Sequence, residues 1–394
     1  MSFAAEELFQ EETLNLISEL EADSTSAELV KTISRLRNAG HPPERIHHAI
    51  EQVRLRRKAR TKFAEFSSHM LFTEAGLEQA TRLSVAAHHA GRFSALGVES
   101  IADLGCGIGA DSMAFASLGL TVFAVERDPL TAAIASYNLA PFDNAKVTCA
   151  DATNVDVSES EALWLDPARR EGGNRLHDPE DYSPRLDFAI EIARSRPSGI
   201  KLAPGMDRDL IPGDAEAQWV SVGGDVVEMV LWFGAARQDR VARSALVLSN
   251  AVSHRMEAAA DSPDADVVDL GEYIYEPDGA VIRARLIGDL ARTLGGGMID
   301  PTIAYISASS YQPTPFAQCF AVEGVMPATI KEISKWVARQ NIGTIEIKKR
   351  GVDVDPAELR KKLPLSGENS RTLFLTRING KKKAIAARRM DTRS

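Results

Sequence analysis

The stretch Ser100-Ile-Ala-Asp-Leu-Gly-Cys-Gly-Ile-Gly-Ala110 joins a short apolar run to three closely spaced glycines. An apolar run of this length, bounded by turn residues, is typical of a buried strand, and we predict a strand over 99–104. Glycines let the backbone come close to a ligand, and a helix is expected to begin near Ala110. A strand, a glycine loop and a helix in this order predict a parallel α/β sheet with a ligand site at the carboxyl end of the strand.

Short apolar runs alternate with helical segments between residues 99 and 233, which is the pattern of βαβ units. Six more strands are predicted, over 121–125, 145–149, 162–165, 199–203, 218–222 and 226–233. Only Gly223-Gly-Asp225 separates the last two, so we expect a hairpin whose second strand runs antiparallel to its neighbour. The predicted fold class is therefore α/β, with a Rossmann-like sheet of seven strands.

Four domains are predicted along the 394 residues, whose 44% hydrophobic and 26% charged content exclude a disordered or fibrous chain. Residues 1–95 have helical periodicity, for example at Leu14, Ile17 and Leu20, and are expected to form a helical cap. The sheet domain occupies 96–240. A connecting mixed subdomain is expected over 241–330, followed by a small α+β domain over 331–394.

Charge is distributed unevenly along the chain. The formal net charge is −9, yet the segment from Ser334 to Ser394 contains 16 Lys or Arg against 6 Asp or Glu. That tail therefore carries +10 and the rest of the chain −19. Segregated charge of this kind predicts contact with nucleic acid, and a solvated basic surface is the alternative.

Several classes of protein and site are not expected. The first residues are acidic where a secretory signal would be basic, and no apolar segment reaches the roughly 18 to 20 residues that a membrane span needs. A cytoplasmic location without membrane contact is predicted. The cysteines Cys106, Cys149 and Cys319 lie far apart without Cys-x-x-Cys spacing, so neither a metal site nor a disulfide is predicted.

The glycine loop alone fits two kinds of cofactor. Gly105-x-Gly-x-x-Ala110 satisfies the dinucleotide fingerprint, whereas an acid two residues before the first glycine would repel a pyrophosphate. Asp103 is instead suited to the amino group of S-adenosylmethionine (SAM). Glu126 can accept both ribose hydroxyls and Asp151 the adenine amino group. The three acids favour SAM over a nicotinamide dinucleotide, with cofactor contacts predicted at Asp103, Gly105, Gly107, Gly109, Glu126 and Asp151.

A second set of polar residues follows the fourth and fifth strands. Asp166, in Trp164-Leu-Asp-Pro-Ala-Arg-Arg170, is predicted at the edge of the sheet, where it would orient a methyl acceptor or take its proton. Arg169, which we place with Asp166 in the catalytic corner, and Arg170 can hold a phosphate or carboxylate, or pair with nearby acids. The segment Lys201-Leu-Ala-Pro-Gly205 ends the fifth strand, and Lys201 is another substrate-side candidate.

These segments together resemble the class I methyltransferases that carry a short THUMP-like domain at the C-terminus. The resemblance covers most of the chain and implies SAM-dependent methylation, with RNA as the substrate class suggested by the tail domain. It rests on Phe72-Thr73, Glu78-Gln-Ala-Thr81, the glycine loop through Asp111, Asp166-Pro-Ala-Arg-Arg170, Lys201-Leu-Ala-Pro-Gly205, Tyr275-Glu-Pro-Asp-Gly-Ala280, Ile345-Glu-Ile-Lys-Lys-Arg-Gly351 and Arg371-Thr-Leu-Phe-Leu-Thr-Arg377.

The substrate stays open at the level of sequence. If RNA binds, its phosphates are expected to contact Lys348, Lys349, Arg350, Lys381, Lys382 and Lys383. Enzymes that methylate exocyclic base nitrogens often carry Asp/Asn-Pro-Pro and an aromatic residue, but here Ala168 and Arg169 replace the second proline and the aromatic. A methyltransferase acting on RNA, one acting on a small molecule, and a non-catalytic SAM-binding regulator are therefore the three alternatives.

Overall fold

The computed structural model describes residues 7–21, 26–169, 182–249 and 252–390. The chain divides into two compact units, one formed by Met1–Leu202 with Leu231–Arg237 and the other by Ala203–Val230 with Gln238–Ser394. No helix in the described residues is long and apolar enough to cross a membrane.

The first unit begins with helices, which confirms the predicted helical N-terminal region. Their apolar faces are buried at Leu16, Ile17 and Leu20, although Val30, which belongs to the same periodic pattern, is 62% exposed. Pro43 begins the longest helix, at a position where its missing N–H costs nothing. The helices are α1 (Glu11–Glu21), α2 (Ser26–Asn38), α3 (Pro43–Phe63), α4 (Glu74–Gln79) and α5 (Leu83–Ser94).

An extended segment between α3 and α4 takes its hydrogen bonds from side chains. The Gln52 amide donates to the Phe72 carbonyl at 2.8 Å and accepts from the Phe72 N–H at 3.0 Å. Asn138 accepts from the Leu71 N–H at 2.8 Å and donates to the Ile108 carbonyl of the glycine loop at 2.9 Å. The helical region is thus joined to the loop by buried, satisfied polar groups, which fix its position.

Parallel strands form the rest of the first unit. Strand β1 pairs in parallel with β2 and β4, while β3 pairs with β2 and β7 with β4, so their order is β3-β2-β1-β4-β7. These strands are β1 (Ser100–Leu104), β2 (Thr121–Glu126), β3 (Ala145–Cys149), β4 (Ala162–Leu165) and β7 (Ser198–Leu202). The helices between them are α6 (Ala110–Ser117), α7 (Pro129–Leu139) and α8 (Leu186–Ala193), and a two-stranded ribbon joins β5 (Ala168–Arg169) to β6 (Tyr182–Ser183).

The sheet continues through β8 (Glu216–Val222) and β9 (Asp225–Phe233), in the order β7-β9-β8. Gly223 and Gly224 both have positive φ, 61° and 94°, as a two-residue hairpin turn requires, so the predicted antiparallel hairpin is confirmed. All seven predicted strands are present. Two strands that were not predicted as part of this sheet, β10 (Arg243–Ser249) and β11 (Val252–Ala258), extend it to nine.

The second unit also contains a seven-stranded sheet with the order β13-β14-β12-β15-β18-β17-β16. One of its cores packs the helix Ile330–Arg339 against the strands Ile342–Lys349 and Asn369–Ile378, through residues such as Trp336, Ile345 and Leu373. Its strands come from both sides of the predicted boundary at residue 330. They are β12 (Tyr273–Pro277), β13 (Gly297–Met298), β14 (Ile306–Ala308), β15 (Ala317–Pro327), β16 (Ile342–Lys349), β17 (Asn369–Ile378) and β18 (Lys381–Arg389), with α9 (Gly279–Arg283), α10 (Ile287–Thr293), α11 (Ile330–Arg339) and α12 (Pro356–Lys361).

Candidate functional site

The glycine loop after β1 is a tight turn. Gly105, Gly107 and Gly109 all have positive φ, at 91°, 56° and 90°. A Cβ on Gly105 would lie 2.7 Å from the carbonyl oxygen of Asp166, so glycine is needed for this close approach. A Cβ on Gly107 would meet nothing within 4 Å. The loop therefore has an open side at Gly107, where a ligand can come close to the backbone.

Asp103, the last residue but one of β1, lies beneath this loop and is only 1% exposed. Its Oδ2 accepts a hydrogen bond from the Ser112 hydroxyl at 2.5 Å, whereas its buried Oδ1 has no partner among the described residues. Burial, followed by the charge of nearby Asp111, raises the pKa of the Asp103 carboxyl well above its ordinary value. An unpaired buried carboxylate oxygen is costly, and a cationic ligand group would satisfy it.

Two more acids lie at the carboxyl ends of neighbouring strands, Glu126 as the last residue of β2 and Asp151 two residues after β3. Glu126 is half-buried, and its carboxylate accepts from the N–H of Gly107 at 3.1 Å and from that of Asp128 at 2.8 Å. Asp151 accepts from the N–H of Thr153 at 2.9 Å, and the hydrogen bond from the Thr153 hydroxyl lowers the pKa of its carboxyl. These bonds fix the orientation of both carboxylates and leave lone pairs for hydroxyl and amino groups of a ligand.

Asp166 and Lys201, predicted at the ends of β4 and β7, lie side by side. The distance between Lys201 Nζ and Asp166 Oδ2 is 2.5 Å, and the side chains are 12% and 31% exposed. The Asp166 N–H donates to the carbonyl of Leu104 at 3.1 Å, which places Asp166 next to the glycine loop. The structure therefore brings together a carboxylate, its ammonium partner and the candidate cofactor site.

Three buried residues that the sequence did not single out join this pair. Lys201 donates to the Thr81 hydroxyl at 3.0 Å, and that hydroxyl donates to Asp111 Oδ2 at 2.7 Å. The other oxygen of Asp111 lies 2.8 Å from His89 Nδ1. Burial alone would raise the pKa of Asp111, but the hydrogen bond and charge of His89, together with Lys201 and Thr81, lower it. Thr81 had appeared only within the family resemblance, and His89 lies on a helix face that otherwise looks like ordinary core.

The two arginines after Asp166 add little to this geometry. Only the backbone of Arg169 is described, in the short ribbon where it pairs with Tyr182. Arg170 lies outside the described residues. Their predicted contacts with substrate therefore stay predictions.

The six basic residues predicted in the tail fall into two groups. Lys348 pairs with Glu276 at 2.6 Å and with Glu346 at 3.1 Å. Arg350 donates to a backbone carbonyl at 2.7 Å and lies over the Tyr305 ring, 4.8 Å from its centre. The others lie at or near the surface: Lys349, Lys381 and Lys382 are exposed and Lys383 is half-buried.

Two basic residues of α3, Arg54 and Lys58, also form ion pairs within the protein. Arg54 pairs with Glu74, while Lys58 pairs with Glu74 at 2.6 Å and with Glu78 at 3.3 Å. These partners lie on α4, so the charges join two helices of the N-terminal region. Arg54 and Lys58 are therefore less available to a polyanion than unpaired cations would be.

The parallel sheet, the glycine loop and the acids at three adjacent strand ends define a protein of the class that binds a nucleoside-containing cofactor at the carboxyl edge of an α/β sheet. The chain is 31% identical, over 84% of its length and 92% of the relative's, to an uncharacterised S-adenosylmethionine-dependent methyltransferase found in two strains of Mycobacterium tuberculosis. It therefore belongs to the S-adenosylmethionine-dependent methyltransferases, and SAM is its cofactor.

Further comparisons agree with the fold. Residues 317–389 match the THUMP domain-like family, beginning at the first residue of β15, and residues 4–59 match a domain of unknown function, DUF8688. The crystal structure of a "putative methyltransferase" from Porphyromonas gingivalis W83 superposes with a TM-score of 0.74 at 20% identity, covering 97% of this chain and 99% of that one. The predicted class I fold with a THUMP-like domain is thereby confirmed.

The residues at the site fit SAM. The unpaired Asp103 Oδ1 can accept from the ammonium of the methionine part, and the open side of Gly107 leaves space next to the backbone. Glu126 and Asp151 offer carboxylate oxygens to the ribose and the adenine. The roles of these individual residues stay predictions.

Proposed function

We propose that this enzyme methylates RNA, with the acceptor held at Asp166. The exposed lysines of the tail, Lys349, Lys381 and Lys382, carry this proposal, since they lie within the segment that matches the THUMP domain-like family. Basic side chains that form no ion pair with the described residues supply the electrostatic part of RNA binding. The whole chain carries a net charge of −9, so the rest of it would repel a polyanion. RNA would therefore bind at this local basic surface.

SAM would be held by Asp103, Gly105, Gly107, Gly109, Glu126 and Asp151, and supplies an electrophilic methyl group on a sulfonium. The task of the protein is then mainly to place the acceptor in line with that methyl. The Asp166 carboxylate accepts a hydrogen bond from the N–H or O–H of the acceptor and can receive its proton. Lys201 Nζ, 2.5 Å away, pairs with that carboxylate and fixes its orientation.

Contacts beyond this corner follow from the charge distribution. Arg169 and Arg170 are proposed to hold a substrate phosphate near Asp166, and Lys383 to support the exposed lysines of the tail. Lys348 and Arg350 are less suited to this role, because Glu276, Glu346 and Tyr305 already engage them. To contact a phosphate, these side chains would first have to leave a partly buried ion pair, and the free energy lost would offset that gained from the phosphate.

A small-molecule acceptor is the second candidate. The substitution of Ala168 and Arg169 for a second proline and an aromatic residue favours it, since no aromatic at this position is present to stack on an extruded base. Under this alternative the tail has another role, and Asp166 and Lys201 keep the same chemistry.

The proposal is tested by transfer of tritiated methyl from SAM into total RNA from a strain that lacks the gene. We expect label with the wild-type protein and about a 100-fold lower rate with Asp166→Asn, which keeps the shape of the side chain but removes its charge. Asp187→Asn, on the exposed start of α8, is the matched control and should behave as wild type. Calorimetric SAM binding without any label in RNA would refute the RNA assignment and direct the search to small molecules.

A further inference from the structure

We infer that the N-terminal helical region completes the active site by supplying Thr81, a positioning residue that holds Lys201 against Asp166. The inference rests on the proposed role of Asp166 in methyl transfer. It gives a function to a part of the chain whose first helices match a domain of unknown function.

The direction of each hydrogen bond around Thr81 is fixed by chemistry. An ammonium can only donate, so the Thr81 oxygen must accept from Lys201 Nζ, at 3.0 Å. The single hydroxyl hydrogen is then left for Asp111 Oδ2, which lies 2.7 Å away and can only accept when ionised. Thr81 therefore connects a buried carboxylate to the ammonium that pairs with Asp166, and neither neighbour can reverse its bond.

The far end of this chain of bonds is buried. Asp111 and His89 are both buried, and their side chains are 2.8 Å apart. The ring of His89 packs on the ring of Trp164, with 4.3 Å between their centres, and Trp164 is two residues before Asp166 on β4. The same histidine thus contacts both the anchor of Thr81 and the strand that carries Asp166. Buried polar groups satisfied in this way hold their geometry more firmly than exposed ones.

Helix α3 fixes the segment that carries Thr81. The ammonium of Lys62 donates to three backbone carbonyls, those of Leu77, Glu78 and Ala80, at 2.8, 2.7 and 2.7 Å. All three of its hydrogens are used, and Thr81 is the next residue after this clamp. Burial and the nearby charges of Arg82 and Lys201 lower the pKa of Lys62 to about 8. Lys62 of α3 therefore fixes the backbone immediately before Thr81.

The variant that tests this is Thr81→Val, which keeps the branched shape but removes the hydroxyl, with Thr81→Ser to restore it. With total RNA as the acceptor we expect kcat to fall about 10- to 100-fold in the valine variant and to recover to within about threefold in the serine variant. SAM affinity by calorimetry should stay within about twofold, because Asp103, Glu126 and Asp151 are untouched. Thr61→Val, an exposed threonine at the end of α3, is the matched control.

A double-mutant cycle separates positioning from packing. If Thr81 acts through Lys201, the Thr81→Val change adds nothing to the loss already caused by Lys201→Met. Equal impairment in the valine and serine variants, additive losses in the cycle, or a loss of SAM affinity as large as the loss of kcat would overturn the inference, since each indicates a structural role.

A readout without substrate distinguishes this inference from the proposed function. Acetic anhydride labels lysine amines, and the labelling of Lys201 can be followed by peptide mass spectrometry at a fixed pH in the full-length protein. We expect Thr81→Val to accelerate it about fivefold because Lys201 loses a hydrogen-bond acceptor, and Thr61→Val to leave it unchanged. If wild type labels no RNA, the RNA assignment fails while this experiment still decides the inference. Unchanged labelling of Lys201 would overturn it.

Discussion

The buried carboxylate of Asp103 lowers the stability of the cofactor-free protein at neutral pH, and the same carboxylate is predicted to bind the ammonium of SAM. Burial raises the pKa of this carboxyl, so the folded protein favours the protonated form. The stability that the protonated carboxyl contributes is fully present below the ordinary pKa of about 4. It is lost as pH rises through the raised pKa of the folded protein. We expect Asp103→Asn to raise the melting temperature of the cofactor-free protein at pH 7 by a few degrees, about 2–4 °C per kcal/mol gained. Differential scanning calorimetry at pH 7 and pH 4 checks this, and the gain should vanish at pH 4.

The same carboxyl predicts how SAM binding depends on pH. Only the ionised form complements an ammonium, so SAM affinity should fall as pH is lowered through the raised pKa of Asp103, with a proton released on binding at lower pH. Asp103→Asn should weaken SAM binding about 10- to 100-fold and remove this dependence. Calorimetry in buffers of different ionisation enthalpy measures the proton release. A dependence on pH that survives in Asp103→Asn would show that another group is responsible.

The sequence identifies some residues of the candidate site and misses others for a physical reason. Asp103, Asp166 and Lys201 are found because parallel strands bring their carboxyl ends to one edge of the sheet, so a polar residue at a strand end has a predictable place. Thr81 and His89 are brought to Asp111 by the packing of the helical region, 30 and 22 residues before it in the chain. The periodicity and spacing of neighbouring residues do not predict a contact between residues so far apart in the chain. The two groups of basic residues in the tail likewise differ in exposure and in the partners that tertiary structure places beside them.

At the scale of elements, two glycines of one loop have different tasks. An alanine at Gly105 would place its Cβ 2.7 Å from the Asp166 carbonyl at a φ of 91°, so we expect Gly105→Ala to cost about 1–3 kcal/mol of stability. Gly107→Ala meets no protein atom within 4 Å and adopts a φ of 56°, which alanine tolerates at about 1 kcal/mol. We expect it to fold but to bind SAM at least about tenfold more weakly. Denaturant unfolding and calorimetry check the pair, and the reverse order of effects would contradict the assignment of the open side.

Strands with strong local signals were predicted and those without were not. The seven strands from β1 to β9 that belong to the large sheet are short runs that alternate with helical segments, and each is predicted to within about two residues. The outer strand β11 carries Ser253, His254 and Arg255, whose polarity is typical of a loop. It is a strand because its backbone pairs along β10, from Val252 to Ala258. The short helix α9 has no prediction from the sequence, and its first turn is capped by Asp278, whose side chain accepts a hydrogen bond from the Ala280 N–H at 2.8 Å.

The basic residues of the tail are either exposed or paired within the protein, and this predicts that RNA binding and thermal stability depend on different residues. Replacing the exposed lysines, as Lys349→Ala with Lys381→Ala and Lys382→Ala, should weaken RNA binding and lower the slope of log affinity against log salt by about 3, one for each phosphate that a lysine no longer neutralises. The melting temperature should barely change, because these side chains have no ion pair among the described residues. The equal charge change made as Lys31→Ala, Arg37→Ala and Arg60→Ala in the helical region is the control.

The internally paired residues should behave in the opposite way. Lys348→Ala with Arg350→Ala leaves Glu276 without both of its cationic partners, so the melting temperature should fall by several degrees, as expected for loss of a partly buried ion pair. The salt slope of RNA binding should change little, because neither cation is free to replace the counterions of a phosphate. Filter binding between about 50 and 200 mM salt, beside thermal unfolding, measures both quantities for the two sets of variants. A slope that falls equally in the two sets would mean that RNA takes these cations away from Glu276. The ion pairs of the tail would then be part of its binding surface, and the distinction drawn from the free protein would fail.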